Sequence, residues 1–101
     1  MYDMANMKKL PKLGAHAKGA WDGFVAFDKA AMADGAIPKK YKELIAVGVA
    51  LTTQCPYCIE IHGENARKAG ATDEELAEVG FVAAALRAGG AVTHATHLLK
   101  G

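Results

Sequence analysis

The chain has 101 residues, 51% of them hydrophobic and 23% charged, which excludes a disordered polymer and fits one domain over residues 1–101. Twelve Lys and Arg against eleven Asp and Glu leave a formal charge of +1, so there is no overall electrostatic footprint for nucleic acid or an anionic membrane. A mean hydropathy of +0.05 is high for a globule that hides only about 60–65% of its unfolded surface, and predicts that another subunit covers some of the apolar surface.

The first ten residues hold Asp3, Asn6, Lys8 and Lys9 with no apolar run behind them, so no signal peptide is expected. No stretch approaches 18 uninterrupted apolar residues, so no membrane span is expected either. The expected compartment is the cytosol, where two cysteines point to catalysis or metal binding rather than a structural disulfide.

In chain order, the first predicted helix runs from about Leu13 to Ala33. Ala17, Trp21, Phe24 and Ala31 recur there at the steps of one buried helical face. Asp34-Gly35 ends it, and Pro38 stands where the next helix begins. That second helix reaches about Leu51, with Leu44, Ile45, Gly48 and Leu51 on one side. Ile45, Val47, Val49 and Leu51 also alternate with smaller residues, which leaves a buried strand open.

Pro56 starts a third helix and Gly70 closes it. Thr72 and Glu75 have the spacing of a capping box. The fourth helix then carries Leu76, Val79, Val82, Ala83 and Leu86 and is predicted to stop at Gly89-Gly90. A last helix from about Ala91 to Leu99 gives an all-α domain of five to six helices.

Cys55-Pro56-Tyr57-Cys58 is the sharpest signal. Two thiols at a helix N-terminus can close a disulfide with little backbone strain, and the helix dipole there stabilises a thiolate. By that argument Cys55, nearer the helix start, is the more acidic thiol. Cys55, Cys58 and His62 share one helical stripe, and His62 can accept or relay a thiol proton near neutral pH. If the chain reverses near residues 52–54, Glu43 on the preceding helix lies opposite position 64, beside His62, and would complete a chain of carboxylate, imidazole and thiol.

Other readings compete. Cys55, Cys58 and His62 could ligate zinc in a structural role, with His94 or His97 as a remote fourth donor. Glu43 could be a solvated helix carboxylate. Lys39, Lys40 and Lys42 read as a solvated basic cluster, and Trp21, Phe24 and Phe81 as core or subunit interface.

Glu43, the Cys55-Pro56-Tyr57-Cys58 run and His62 together resemble the redox motif of the AhpD-like alkylhydroperoxidase family, within the carboxymuconolactone decarboxylase superfamily. The segments Lys42-Glu43-Leu44-Ile45-Ala46 and His62-Gly63-Glu64-Asn65-Ala66 are similar too, as is the stretch from Gly70 to His97. The resemblance covers about two thirds of the chain, from Pro38 onward. It implies an all-α fold assembled into homo-oligomers, commonly trimers or hexamers. It also implies a thiol-dependent peroxidase with an antioxidant role, using no metal and no bound cofactor.

By the same resemblance Cys58 attacks the hydroperoxide, Cys55 resolves the sulfenic acid into a disulfide, and Glu43 and His62 relay the proton. An external dithiol, lipoyl groups among them, restores the thiols. Tyr57 stands where the best-known member of the family has a second histidine; a tyrosine is a poor base at neutral pH, so it is expected to hold substrate or to pack. Cys-Pro-Tyr-Cys is also the glutaredoxin motif, but that architecture needs strands and a later cis-proline, and Pro56 is the last proline here. A non-redox decarboxylase is the superfamily alternative, and it leaves the two cysteines without a purpose.

Overall fold

In the computed structural model, which describes residues 2–101, the chain is helical, with no strand among those residues. A 3₁₀ segment (Met4–Lys9) leads into α1 (Leu10–His16) and α2 (Lys18–Met32). There follow α3 (Lys39–Thr53), α4 (Pro56–Lys68), α5 (Asp73–Ala95) and a 3₁₀ turn (Thr96–Leu98). The all-α expectation holds, and the segment that alternated like a strand lies inside α3.

Two boundaries differ from those expected. The helix placed over Leu13 to Ala33 is broken at Ala17, whose φ of −146° and ψ of 61° are not helical. The break folds α1 back on α2, so that a Cβ at the buried Gly14 would stand 2.6 Å from the Trp21 ring. At the other end, Gly89-Gly90 does not stop the fourth predicted helix. α5 runs through both to Ala95, and neither glycine has a positive φ. Two glycines cost a helix roughly 2 kcal/mol against alanine, and the good helix formers on either side outweigh them.

The remaining ends are set by local chemistry. α3 follows the extended Pro38 and ends at Gln54, in the left-handed region at φ 57°. Gly70, at φ 99°, closes α4, and the Ala71 N–H donates to the Ala66 carbonyl at 2.9 Å. The capping box forms: the Glu75 N–H donates to Thr72 Oγ1 at 3.1 Å and the Thr72 N–H to Glu75 Oε1 at 3.0 Å.

α3 is the central helix. α4 returns along it as a hairpin, and α5 lies parallel to it, since Lys40 pairs with Glu75 at 3.1 Å near one end and Arg87 donates to the Thr52 carbonyl near the other. The buried side chains are small: Val47, Ala50, Ala66, Ala71 and Ala83, with Glu43 among them. The predicted apolar face of the first helix is not buried within the chain. α2 contains no buried residue, and Phe24 and Phe81 are both exposed, as is Phe27.

The lysines expected to be merely solvated are tied down. Lys42 Nζ donates to the carbonyls of Ala31 and Ala33, and Lys39 Nζ to that of Met32. These cations close the C-terminal end of α2 and fix the turn into α3.

Candidate redox site

Cys55 is the N-cap of α4, with Pro56 at the first helical position, where a missing N–H is harmless. The Cys58 N–H points at Cys55 Sγ from 3.3 Å, and the two sulfurs are 2.8 Å apart, both as free, partly buried thiols. Cys55 is held below the usual thiol range, first because the Cys58 S–H donates to it and then because the Cys58 N–H does. The same S–H bond holds the proton on Cys58. Burial and the negative charges of Cys55 and Asp28 add to this and push Cys58 up to about 11. The helix-start argument for Cys55 as the more acidic thiol therefore agrees with the geometry.

Glu43 belongs to the inner stripe of α3, in step with Val47 and Ala50. That placement leaves it 1% exposed, and a carboxylate so buried needs partners. It has two. His62 Nδ1 lies 2.7 Å from Glu43 Oε2, and Lys39 Nζ lies 3.4 Å from Oε1. With Glu43 ionised, Nδ1 carries the imidazole proton. Nε2 is then the nitrogen left to exchange a proton with its surroundings.

Cys58 and His62, one turn apart on α4, line a cavity of about 240 Å³ with Ala46, Val49, Ala50 and Thr53 of α3. Cys55 is not among its walls. One thiol thus faces a small apolar cleft containing an imidazole, and the other sits at the mouth of the helix. Such a pair can lose two electrons within the chain, with a base beside the inner sulfur.

Sequence reasoning brought Glu43 and His62 together and missed three neighbours. Lys39 stands four residues before Glu43, a spacing that pairs side chains on a helix. Asp28 comes from α2 and gave no local signal. Tyr57 packs, one of the two roles expected of it, but its partners in residues 2–6 gave no signal. Its OH accepts from Asn6 Nδ2 at 2.9 Å and from the Asp3 N–H at 3.3 Å. Its ring meets Tyr2 edge-on at 4.9 Å, and the Tyr2 OH reaches Glu60 at 3.3 Å.

The zinc reading finds no donor set. Among the described residues no three His, Cys, Asp or Glu side chains converge as metal ligands. His94 and His97 stack on each other at 5.3 Å near the exposed end of α5.

Comparison with known proteins gives a consistent frame. An uncharacterised protein in the cox locus of Paracoccus denitrificans is 53% identical over 78 residues, covering 77% of this chain and 70% of that one. An uncharacterised protein of Cupriavidus necator is 42% identical over 67 residues, and there the match spans 66% of this chain and 59% of the relative's length. Among solved structures, a carboxymuconolactone decarboxylase family protein from Legionella pneumophila superposes with a TM-score of 0.74 at 39% identity, over 79% of this chain and 71% of that one. A protein from Methanobacterium thermoautotrophicum gives 0.81 at 32% identity, over 85% and 97%. With the family model matching residues 19–101, and the central helices that carry the site inside that span, the chain belongs to the carboxymuconolactone decarboxylase family.

Proposed function

We propose that this protein is a thiol-dependent alkyl hydroperoxide reductase that cycles Cys55 and Cys58 between dithiol and disulfide. The observation that carries the reading is the closeness of the two sulfurs, 2.8 Å, with one of them sharing a cleft with the Glu43-bound imidazole of His62.

In the cycle a hydroperoxide enters the cleft beside Cys58. His62 Nε2 takes the Cys58 proton as sulfur attacks the distal oxygen, the O–O bond breaks, and the proton passes to the departing alkoxide. Cys58 is now a sulfenic acid and one alcohol has left. Cys55, already the more acidic thiol and adjacent, attacks as thiolate; hydroxide leaves, takes up a proton, and the Cys55–Cys58 disulfide remains. Two thiols and one hydroperoxide have become a disulfide, an alcohol and water. The positive charge that builds on His62 during the first step is balanced by Glu43.

An external dithiol, a lipoyl group in this reading, then attacks the Cys55 sulfur at the start of α4, is itself oxidised to its disulfide, and restores both thiols. Because Cys55 is the lower-pKa thiol at the helix mouth, exchange with disulfides proceeds by the same route, so disulfide reduction belongs to the same proposal. A cytoplasmic, antioxidant role in a homotrimer or homohexamer is part of it.

The test is a thiol count by intact mass on reduced protein, before and after one equivalent of tert-butyl hydroperoxide. The expected result is loss of one hydrogen from each thiol within seconds, absent in Cys58→Ser. An unchanged mass in the wild type would refute the peroxidase reading.

A further inference from the structure

Three lysines open α3, and each is engaged differently. Lys40 pairs with Glu75 of α5, and Lys42 closes the carbonyl end of α2. Lys39 turns its ammonium toward the buried carboxylate. Its Nζ stands 3.4 Å from Glu43 Oε1, one turn along the helix, and 3.4 Å from the Met32 carbonyl. Its backbone is fixed as well, because the Lys39 N–H donates to Asp34 Oδ1 at 2.6 Å. The ammonium is half exposed, yet acceptors on two sides hold it at one place.

The charges around Glu43 decide what His62 can do. The carboxylate is buried and offers one oxygen to His62 Nδ1 at 2.7 Å and the other to Lys39. A buried anion demands a cation. Were His62 its one neighbour, the favoured state would be a carboxylate–imidazolium pair, neutral overall. In that state Nε2 already carries a proton and cannot act as a base. Lys39 reverses this balance. Ammonium and carboxylate are neutral together while the imidazole is uncharged, and a proton added to His62 leaves the cluster with one net positive charge. The two cations then repel across a carboxylate that is shut away from water.

The other charged groups nearby do not supply that cation. On α4, His62 shares its face with Cys58, and Arg67 is paired with Asp73. Asp28 of α2 brings a negative charge to Cys58. On the α5 side of α3, Glu75 holds Lys40, and Glu78 lies with it along the groove between the two helices.

We propose that Lys39 is a positioning residue of the relay: its ammonium neutralises Glu43, so that the His62 ring rests uncharged with Nε2 open to the Cys58 proton. The ring becomes charged as the thiol proton arrives and is then biased to pass that proton on. The charge argument stands on the geometry of Lys39, Glu43 and His62; its bearing on turnover rests on the peroxidase reading above.

Proton–nitrogen correlation spectra of the imidazoles in the reduced protein test this without any peroxide. His62 is assigned by its loss in His62→Gln, and the pH midpoint for proton uptake by the Glu43–His62 pair is followed in each variant. In Lys39→Met the midpoint should rise by at least about half a pH unit, a roughly threefold gain in proton affinity. Lys39→Arg keeps the charge and should stay within about 0.2 of the wild type. Lys40→Met removes the same charge one residue away and should leave the midpoint in place. If Lys39→Met loses its helical circular dichroism, Lys39→Gln replaces it in the same measurements. With tert-butyl hydroperoxide, the acid limb of Cys58 oxidation should move with the midpoint, so that Lys39→Met is about threefold slower below it and no slower well above it.

An unmoved midpoint in the folded Lys39 variant overturns the inference, as does an equal movement in Lys40→Met. A wild type that the hydroperoxide leaves unoxidised refutes the proposed function instead, while the midpoints still judge Lys39.

Discussion

Replacing Glu43 by Gln separates the charge of this buried group from its shape. In the native chain one carboxylate oxygen is 2.7 Å from His62 Nδ1 and the other 3.4 Å from Lys39 Nζ. The amide of Gln can still accept the Nδ1–H bond, so the tautomer and ring orientation of His62 stay as they are. What is lost is the negative charge facing the imidazolium that forms when His62 takes the Cys58 proton. A hydrogen bond to a charged group is worth about 1.5–3 kcal/mol and a neutral one about 0.5–1.5. With the remaining Coulomb attraction at an effective dielectric near 20, the deficit at the transition state is about 1–3 kcal/mol. That corresponds to a roughly 5- to 150-fold slower oxidation of Cys58.

Folding stability should barely follow, because a neutral amide is cheaper to bury than a carboxylate and the half-exposed Lys39 ammonium keeps both water and the Met32 carbonyl as partners. The assay is quenched-flow oxidation by tert-butyl hydroperoxide at pH 7, read by intact mass, beside a urea melt followed by circular dichroism. Glu43→Gln oxidising at the wild-type rate would refute the relay, and a rate loss that tracks a lost melt would make Glu43 structural.

Three further outcomes are expected. Iodoacetamide should label Cys55 first as pH rises, since its thiolate forms below the usual range, while Cys58, pushed up to about 11, stays unlabelled at pH 8. Cys55→Ser removes the sulfur that holds the Cys58 proton and should bring Cys58 labelling to lower pH; peptide mapping that finds Cys58 labelled first in the wild type contradicts the assigned geometry. Gly14→Ala drives a Cβ to 2.6 Å from the Trp21 ring and should destabilise the α1–α2 corner by about 1–3 kcal/mol. As Trp21 is the one tryptophan, its emission reads this directly, and an unchanged spectrum and melt would contradict the close packing.

Much of the site was legible because helix chemistry is local. Pro56, the Cys55–Cys58 spacing and the Thr72–Glu75 box each dictate a backbone conformation within four residues of themselves, and each appears where the sequence places it. The nearness of Glu43 to His62 needed only a tight reversal at residues 52–54 and equal counting along two helices. The unexpected burial of Glu43 also had a signal: it continues the stripe of Val47 and Ala50, where an apolar side chain belongs.

The misses lie where tertiary contacts decide. Gly89-Gly90 reads as a stop only if the flanking helix formers are ignored, and the break at Ala17 depends on Gly14 meeting Trp21. Lys39, Lys40 and Lys42 look alike in the sequence. Their targets, Glu43, Glu75 and the carbonyls ending α2, exist only once the helices are assembled.

The hold of residues 2–6 on Tyr57 places the middle of the CxxC motif under the influence of a segment outside the matched family span of 19–101. Position 57 lies between the two cysteines along the chain, and a shift there moves the first turn of α4 and the N–H donors aimed at Cys55. The thiol couple can therefore be retuned by changes in a stretch that carries no catalytic group. Lineages sharing the same scaffold and the same cysteines could diverge in redox potential through that leading segment alone, and tags fused to it are a direct way to alter the couple.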